Sequence, residues 1–96
     1  MLEIGKNMNI EFAKSLSGHD KDQYYLIKEK DETFVYLVNG TNRPLAAPKK
    51  KNAKHIQPVR NLPASVMECL AAGLTDTSIK RAIKTYERMI QSAGNH

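Results

Sequence analysis

Residues 18–22 read Gly-His-Asp-Lys-Asp, and His19 next to Asp20 is the pairing a general base and its orienting carboxylate would need. Adjacent residues in a turn seldom point at one another, and no Ser or Cys nucleophile stands in a recognisable motif around them. Cys69 falls in an amphipathic segment, where a small buried thiol is the ordinary outcome. His19, His55 and His96 lack the spacing of metal ligands. The residues therefore point away from an enzyme: no catalytic residue, no metal site and no cofactor is expected. With one cysteine in the chain, a disulfide framework within it is excluded.

The other chemistry on offer is charge. Of 96 residues, 15 are Lys or Arg and 10 are Asp or Glu, but the excess is local. Residues 1–42 are net −2, residues 43–60 net +6 with no acid, and residues 61–96 net +1. The cations of the middle stretch are Arg43, Lys49, Lys50, Lys51, Lys54 and Arg60. Such a run makes a local potential that a polyanion can feel. Lys meets phosphate as a mobile point charge, whereas Arg43 and Arg60 can make bidentate contacts. Pro44, Pro48 and Pro58 favour extended backbone around the run. The stretch 46–54 is the only low-complexity segment, and it reads as a loop that is mobile until an external polyanion orders it. Tyr24, Tyr25, Tyr36 and Phe34 offer base-stacking faces, against core packing for Phe34 and at least one tyrosine of each pair. Further on, Lys80, Arg81, Lys84 and Arg88 fall largely on one outer helical face, a pattern an ordinary solvated helix also shows.

These residues need a scaffold. Met8, Ile10 and Phe12 alternate with polar residues, which predicts a strand within 4–18. Residues 23–29 and 33–38 are rich in strand formers, and the polar 30–33 between them closes a hairpin. Asn39-Gly40 signals a tight turn. A short fourth strand is expected near Arg43–Ala46 and a fifth near His55–Val59, where Pro58 implies an edge or a strand end. The period then changes. Val66, Leu70 and Leu74 recur at helical spacing, and Ile79, Ala82, Ile83, Tyr86 and Ile90 make a second stripe. Thr75 or Asp76 can cap the second helix. The expectation is a mainly β fold: an antiparallel barrel of about five strands over residues 1–60, then two short helices over residues 61–96. There is no apolar run of membrane-spanning length and no secretory signal pattern, so the chain is expected in the cytoplasm.

Two stretches together resemble bacterial KOW-domain RNA-binding proteins, short proteins similar to a KOW-bearing large-subunit ribosomal protein of archaea and eukaryotes. Lys14, Ser15, Gly18, Asp20 and Lys21 match the family's strand-and-turn motif. Gly40, Arg43 and Leu45 match a second motif, and Pro48, Lys49, Lys51, Lys54 and His55 a third. The likeness is good over about residues 5–57 and loose beyond. It departs from the pattern at His19, where arginine is usual, at Asp22, where glycine is usual, and at Asn39, where aspartate is usual. The resemblance implies an SH3-like barrel binding ribosomal RNA or a ribosomal particle, with ribosomal proteins as possible neighbours. The residues implied in RNA binding are Lys14, Ser15, Gly18, His19, Lys21, Arg43, Lys49, Lys50, Lys51, Lys54 and His55. The competing reading is a protein-interaction module that uses a barrel edge or the helical tail. Duplex DNA is a weaker fit, because no helix combines strong basic charge with base-reading side chains.

Overall fold

The computed structural model describes residues 10–94. Five strands are followed by two helices: β1 (Phe12–Ser15), β2 (Tyr24–Lys30), β3 (Phe34–Val38), β4 (Lys49–Asn52), β5 (Ile56–Val59), α1 (Ala64–Leu70) and α2 (Asp76–Gly94). The strands form one antiparallel sheet in the order β4-β3-β2-β1-β5. The mainly β expectation with two following helices therefore holds. Of the first predicted strand, Met8 lies outside the described residues, as does His96.

Three local expectations are corrected. Asn39-Gly40 does not close a two-residue hairpin, since β3 and β4 are joined by residues 39–48. Arg43–Ala46 is not a strand. The fourth strand is instead the lysine run itself, Lys-Lys-Lys-Asn, despite its poor strand propensity. The free edge of β3 provides its hydrogen-bond partner, with Leu37 opposite Lys49 and Val35 opposite Lys51. Tertiary pairing overrides local preference here. The second helix is also not short, at 19 residues.

The sheet is strongly curled but not closed into a barrel. β4 and β5 are its opposite edges, yet only the 3-10 turn Ala53–His55 separates them in the chain. Four residue steps from Asn52 to Ile56 span at most about 14 Å. The edges of a flat five-strand sheet would stand about 19 Å apart. The sheet must therefore bend to bring them together. Asn52 caps the turn by accepting from the Lys54 amide, which takes the chain out of extended conformation where a closing ladder would have to start.

Each face of the curled sheet buries a separate apolar cluster. On the inner face Ala13, Tyr25, Val35, Leu37 and Ile56 pack together. On the outer face Phe12, Leu26 and Val38 join Val66, Leu70, Ile79, Ala82 and Ile83 of the helices in one core. Tyr86 of α2 makes edge-on contacts with Phe12 and Tyr24, at centroid distances of 5.5 and 5.2 Å. The N-terminus of α2 is fixed by a reciprocal pair: the Ser78 amide donates to Thr75 Oγ1 and the Thr75 amide to Ser78 Oγ. Asp76 is thereby left to accept from the Leu45 amide at 2.8 Å, tying α2 to the β3–β4 connection. Gly40 presses on the same point, where a Cβ would lie 2.2 Å from the Asp76 carbonyl oxygen. No helix among the described residues is long and apolar enough to cross a membrane.

The change from strands to helices falls between Val59 and Ala64, but the outer core does not divide there. A chain ending at Arg60 would leave Phe12, Leu26 and Val38, each at most 1% exposed, facing water. We predict that it loses the cooperative thermal transition and the dispersed amide spectrum of the full chain. A truncated chain that keeps both would show the strands to fold without the helices.

Candidate nucleic-acid interface

The β1–β2 turn, residues 16–23, is built around one carboxylate. Asp20 is 7% exposed and its two oxygens accept four hydrogen bonds. Oδ1 accepts from Ser15 Oγ at 2.8 Å and from Lys51 Nζ at 3.0 Å. Oδ2 accepts from Tyr25 Oη and from Lys49 Nζ, both at 2.7 Å. That fills the capacity of an ionised carboxylate. Lys51 Nζ spends its other donors on Ser15 Oγ at 2.7 Å and the Ser17 carbonyl at 2.9 Å.

The positions follow from strand period. Lys49 and Lys51 lie two apart, so both leave β4 on the face of Val35 and Leu37. Their methylene stems can cover the inner cluster while their ammonium groups reach past it to Asp20. Ser15 and Tyr25 come to the same face from β1 and β2. Burial by itself would raise the Asp20 carboxyl, but the bonds from Lys49, Tyr25, Lys51 and Ser15 outweigh it and hold the group far below the usual carboxylate range. The Tyr25 hydroxyl is pushed well up, first by burial and then by its bond to Asp20, with Arg43 opposing from nearby.

The turn's backbone is equally constrained. Gly18 has φ +89°, and Asp22 has φ +73°, the left-handed region that side chains resist. The Asp22 amide donates to the Ser15 carbonyl at 2.8 Å, and the Leu16 amide to the His55 carbonyl at 2.9 Å. The second bond fastens the turn to the 3-10 segment that carries Lys54.

The structure thus gathers most of the sequence-predicted residues but gives them unequal tasks. Ser15, Lys49 and Lys51 are internal, engaged with Asp20 rather than with solvent. His19 and Lys21 are exposed on the turn, and Lys54 and His55 are exposed beside it. Arg43 is half-buried, close enough to act on Tyr25. Two residues point elsewhere. Lys14 faces the helix side, with Asp22 3.8 Å away. Lys50 leaves β4 on the opposite face from its neighbours and sits 4.2 Å from the centre of the Phe34 ring. Of the aromatics, Tyr25 is fully packed, while Tyr24, Phe34 and Tyr36 are half-buried. Sequence reasoning matched Asp20 to a motif but did not find it as the organising group. The signal was present in the two-residue spacing of Lys49 and Lys51, which needs an anion on one face of a strand. Arg60, one of the six cations of residues 43–60, is bound to Glu11, which also pairs with Lys30 at 2.8 Å.

No protein-family model matches the chain, and no curated protein matches it.

Two outcomes are expected at this turn. Asp20→Asn leaves Lys51, with a side chain only 10% exposed, without its charge partner and should cost about 3 kcal/mol at pH 7. The sign with pH follows from the depressed folded-state pKa. The carboxylate's contribution is complete above its unfolded value of about 3.9 and is lost as pH falls below that towards the folded one. Urea unfolding between pH 7 and pH 2 should show a stability loss below about pH 4 that is smaller in Asp20→Asn; equal acid profiles would refute the role of the carboxylate. Asp22→Gly, which relieves a left-handed side chain, should stabilise the chain by about 0.5–1 kcal/mol in the same assay, and a destabilised variant would show that the Asp22 side chain supports the turn.

Proposed function

We propose that the chain is a non-enzymatic RNA-binding protein of the cytoplasm whose contact surface is the end of the curled sheet where the β1–β2 turn, β4 and the 3-10 segment meet. One observation carries this reading. Two of the three segments that the sequence resemblance singles out, residues 14–21 and 48–55, are brought to one place by Asp20, Lys49, Lys51 and the Leu16–His55 bond. Two further features support the family likeness. Asp22 takes a left-handed conformation at the position where the resembled motif carries glycine. The meander order, with a 3-10 turn returning the chain to the far edge, suits an SH3-like barrel left open at one seam.

In this reading Lys49 and Lys51 frame the surface, while Lys21, Lys54, Arg43 and the exposed His19 and His55 meet the RNA. The exposed cations would lie on phosphates, and the tight backbone at Gly18 lets the turn approach them closely. Ribosomal RNA is the target that the resemblance implies. The chain would then act by positioning, as a wedge or clamp on folded RNA, with no chemical step.

Salt dependence tests it. With about three or four phosphate contacts, log affinity for a structured ribosomal RNA fragment should fall with log salt at a slope of roughly −2 to −4. Lys21→Gln with Lys54→Gln should flatten the slope by about 1.5 units and leave the melting temperature unchanged. Lys51→Gln should instead lower the melting temperature. A double variant with the wild-type slope would move the interface elsewhere. A slope near zero in the wild type would favour a protein partner docking on apolar surface such as Leu16, which is 42% exposed.

A further inference from the structure

The helices also carry unpaired charge. Lys14, Lys30, Lys49, Lys51 and Arg60 have acidic partners, but among the described residues Lys80, Arg81, Lys84 and Arg88 of α2 have none. Lys80, Lys84 and Arg88 succeed one another at i, i+4 and i+8, the spacing at which like charges destabilise a helix. Lys80 and Lys84 in addition face a cleft of about 310 Å³ between α2 and the sheet. Tyr24 and Ile83 line it as well, together with Gln23, Asn39 and Thr41. The volume is at the lower end of ligand pockets and suits one nucleotide.

The polar groups of the cleft are distributed along a direction. Lys80 and Lys84 occupy the end near the start of α2, and Glu87, less than one turn beyond Lys84, occupies the other. Asn39 is engaged within its own turn, its Oδ1 accepting from the amides of Thr41 and Arg43 and its Nδ2 donating to Asn42. Gln23 is exposed, and its side-chain amide makes no hydrogen bond among the described residues. An anion is therefore favoured at one end, a hydrogen-bond donor at the Glu87 end, and a flat apolar group over Tyr24 between them.

Resting on the RNA reading above, we propose that this cleft holds one nucleotide of the bound RNA strand, with the phosphate between Lys80 and Lys84, the base against Tyr24, and the base edge met by Glu87 and Gln23. A carboxylate accepts from an exocyclic amine, as on cytosine N4, and repels the carbonyl edge of uracil. The cleft thus prefers cytosine to uracil. From there the strand runs along α2 towards Arg88, since successive cations at four-residue spacing rise about 6 Å each. The helical tail becomes a second RNA contact, on the opposite face of the sheet from Asp20.

The test uses the full chain, labelled for amide NMR and titrated with 5′-CMP and with 5′-UMP, alongside affinity for the ribosomal RNA fragment. CMP should shift the amides of Gln23, Thr41 and Lys84, and UMP should do so more weakly. Glu87→Gln should erase the difference between the two. K80Q with K84Q, both on exposed positions of α2, should abolish the CMP shifts, weaken RNA binding by about tenfold and flatten its salt slope by at least one unit, at a melting temperature no lower than that of the wild type. Absent CMP shifts, or an unchanged RNA affinity in K80Q with K84Q, would overturn the cleft while leaving the RNA reading in place. If the wild type binds no RNA, that reading fails, and the cleft is judged on the CMP shifts alone.

Discussion

Everything at the sheet's open end depends on the saturation of Asp20. A carboxylate at 7% exposure is costly to bury unless its charge and lone pairs are met. Here two ammonium groups, a phenol and a serine hydroxyl meet all of them, two on each oxygen. They arrive from β1, β2 and β4, so the hydrogen bonds also fix the relative positions of three strands. The geometry is self-consistent only with β4 in register, because a slip of one residue would turn Lys49 and Lys51 outward and bring Lys50 in. A polar network thus specifies the pairing of a strand whose own residues have little preference to be one.

That interaction also changes what the chain's charge means. The +6 of residues 43–60 suggests a long flexible cationic loop. In the fold, Asp20 and Glu11 come back from earlier in the sequence to neutralise part of it, and Lys50 is occupied with Phe34. The cations left exposed and without an acidic partner are fewer and more widely spaced than the sequence suggests.

How much of this the sequence disclosed depends on whether the deciding interactions were local. The first three strands follow from alternation and β-formers, and the hairpin at residues 30–33 is closed by Asp31, which accepts from the amides of Thr33 and Phe34. The helices follow from their apolar stripes and from Thr75. The strand at Lys49–Asn52 was illegible for a physical reason: its stability lies in Asp20, some 30 residues away, and in the unpaired edge of β3. Asn39-Gly40 misled in a related way. Its left-handed glycine is real, at φ +80°, but it serves a close approach to Asp76 rather than a two-residue turn. Of the candidate site, the exposed His19, Lys21 and Lys54 were readable from type and motif. The division of the lysines into those bound to Asp20 and those left exposed was not.

The contact between Gly40 and α2 bears on how the two faces of the sheet are related. The β3–β4 connection is held at Leu45 from both sides, its amide on Asp76 and its carbonyl on Lys28 at 3.2 Å. Its first residues line the α2 cleft, and its last leads directly into Lys49. One ten-residue connection therefore spans from the helix-side cleft to the Asp20 network, anchored at Gly40, Leu45 and Lys49 with little slack between them. A ligand that touched both faces would meet a surface whose parts are already in place relative to one another. The second helix, which completes the outer core through Ile79, Ala82 and Ile83, then has a structural reason to be present that does not compete with a binding one, because the residues it buries and the lysines it exposes lie on different stripes of the same helix.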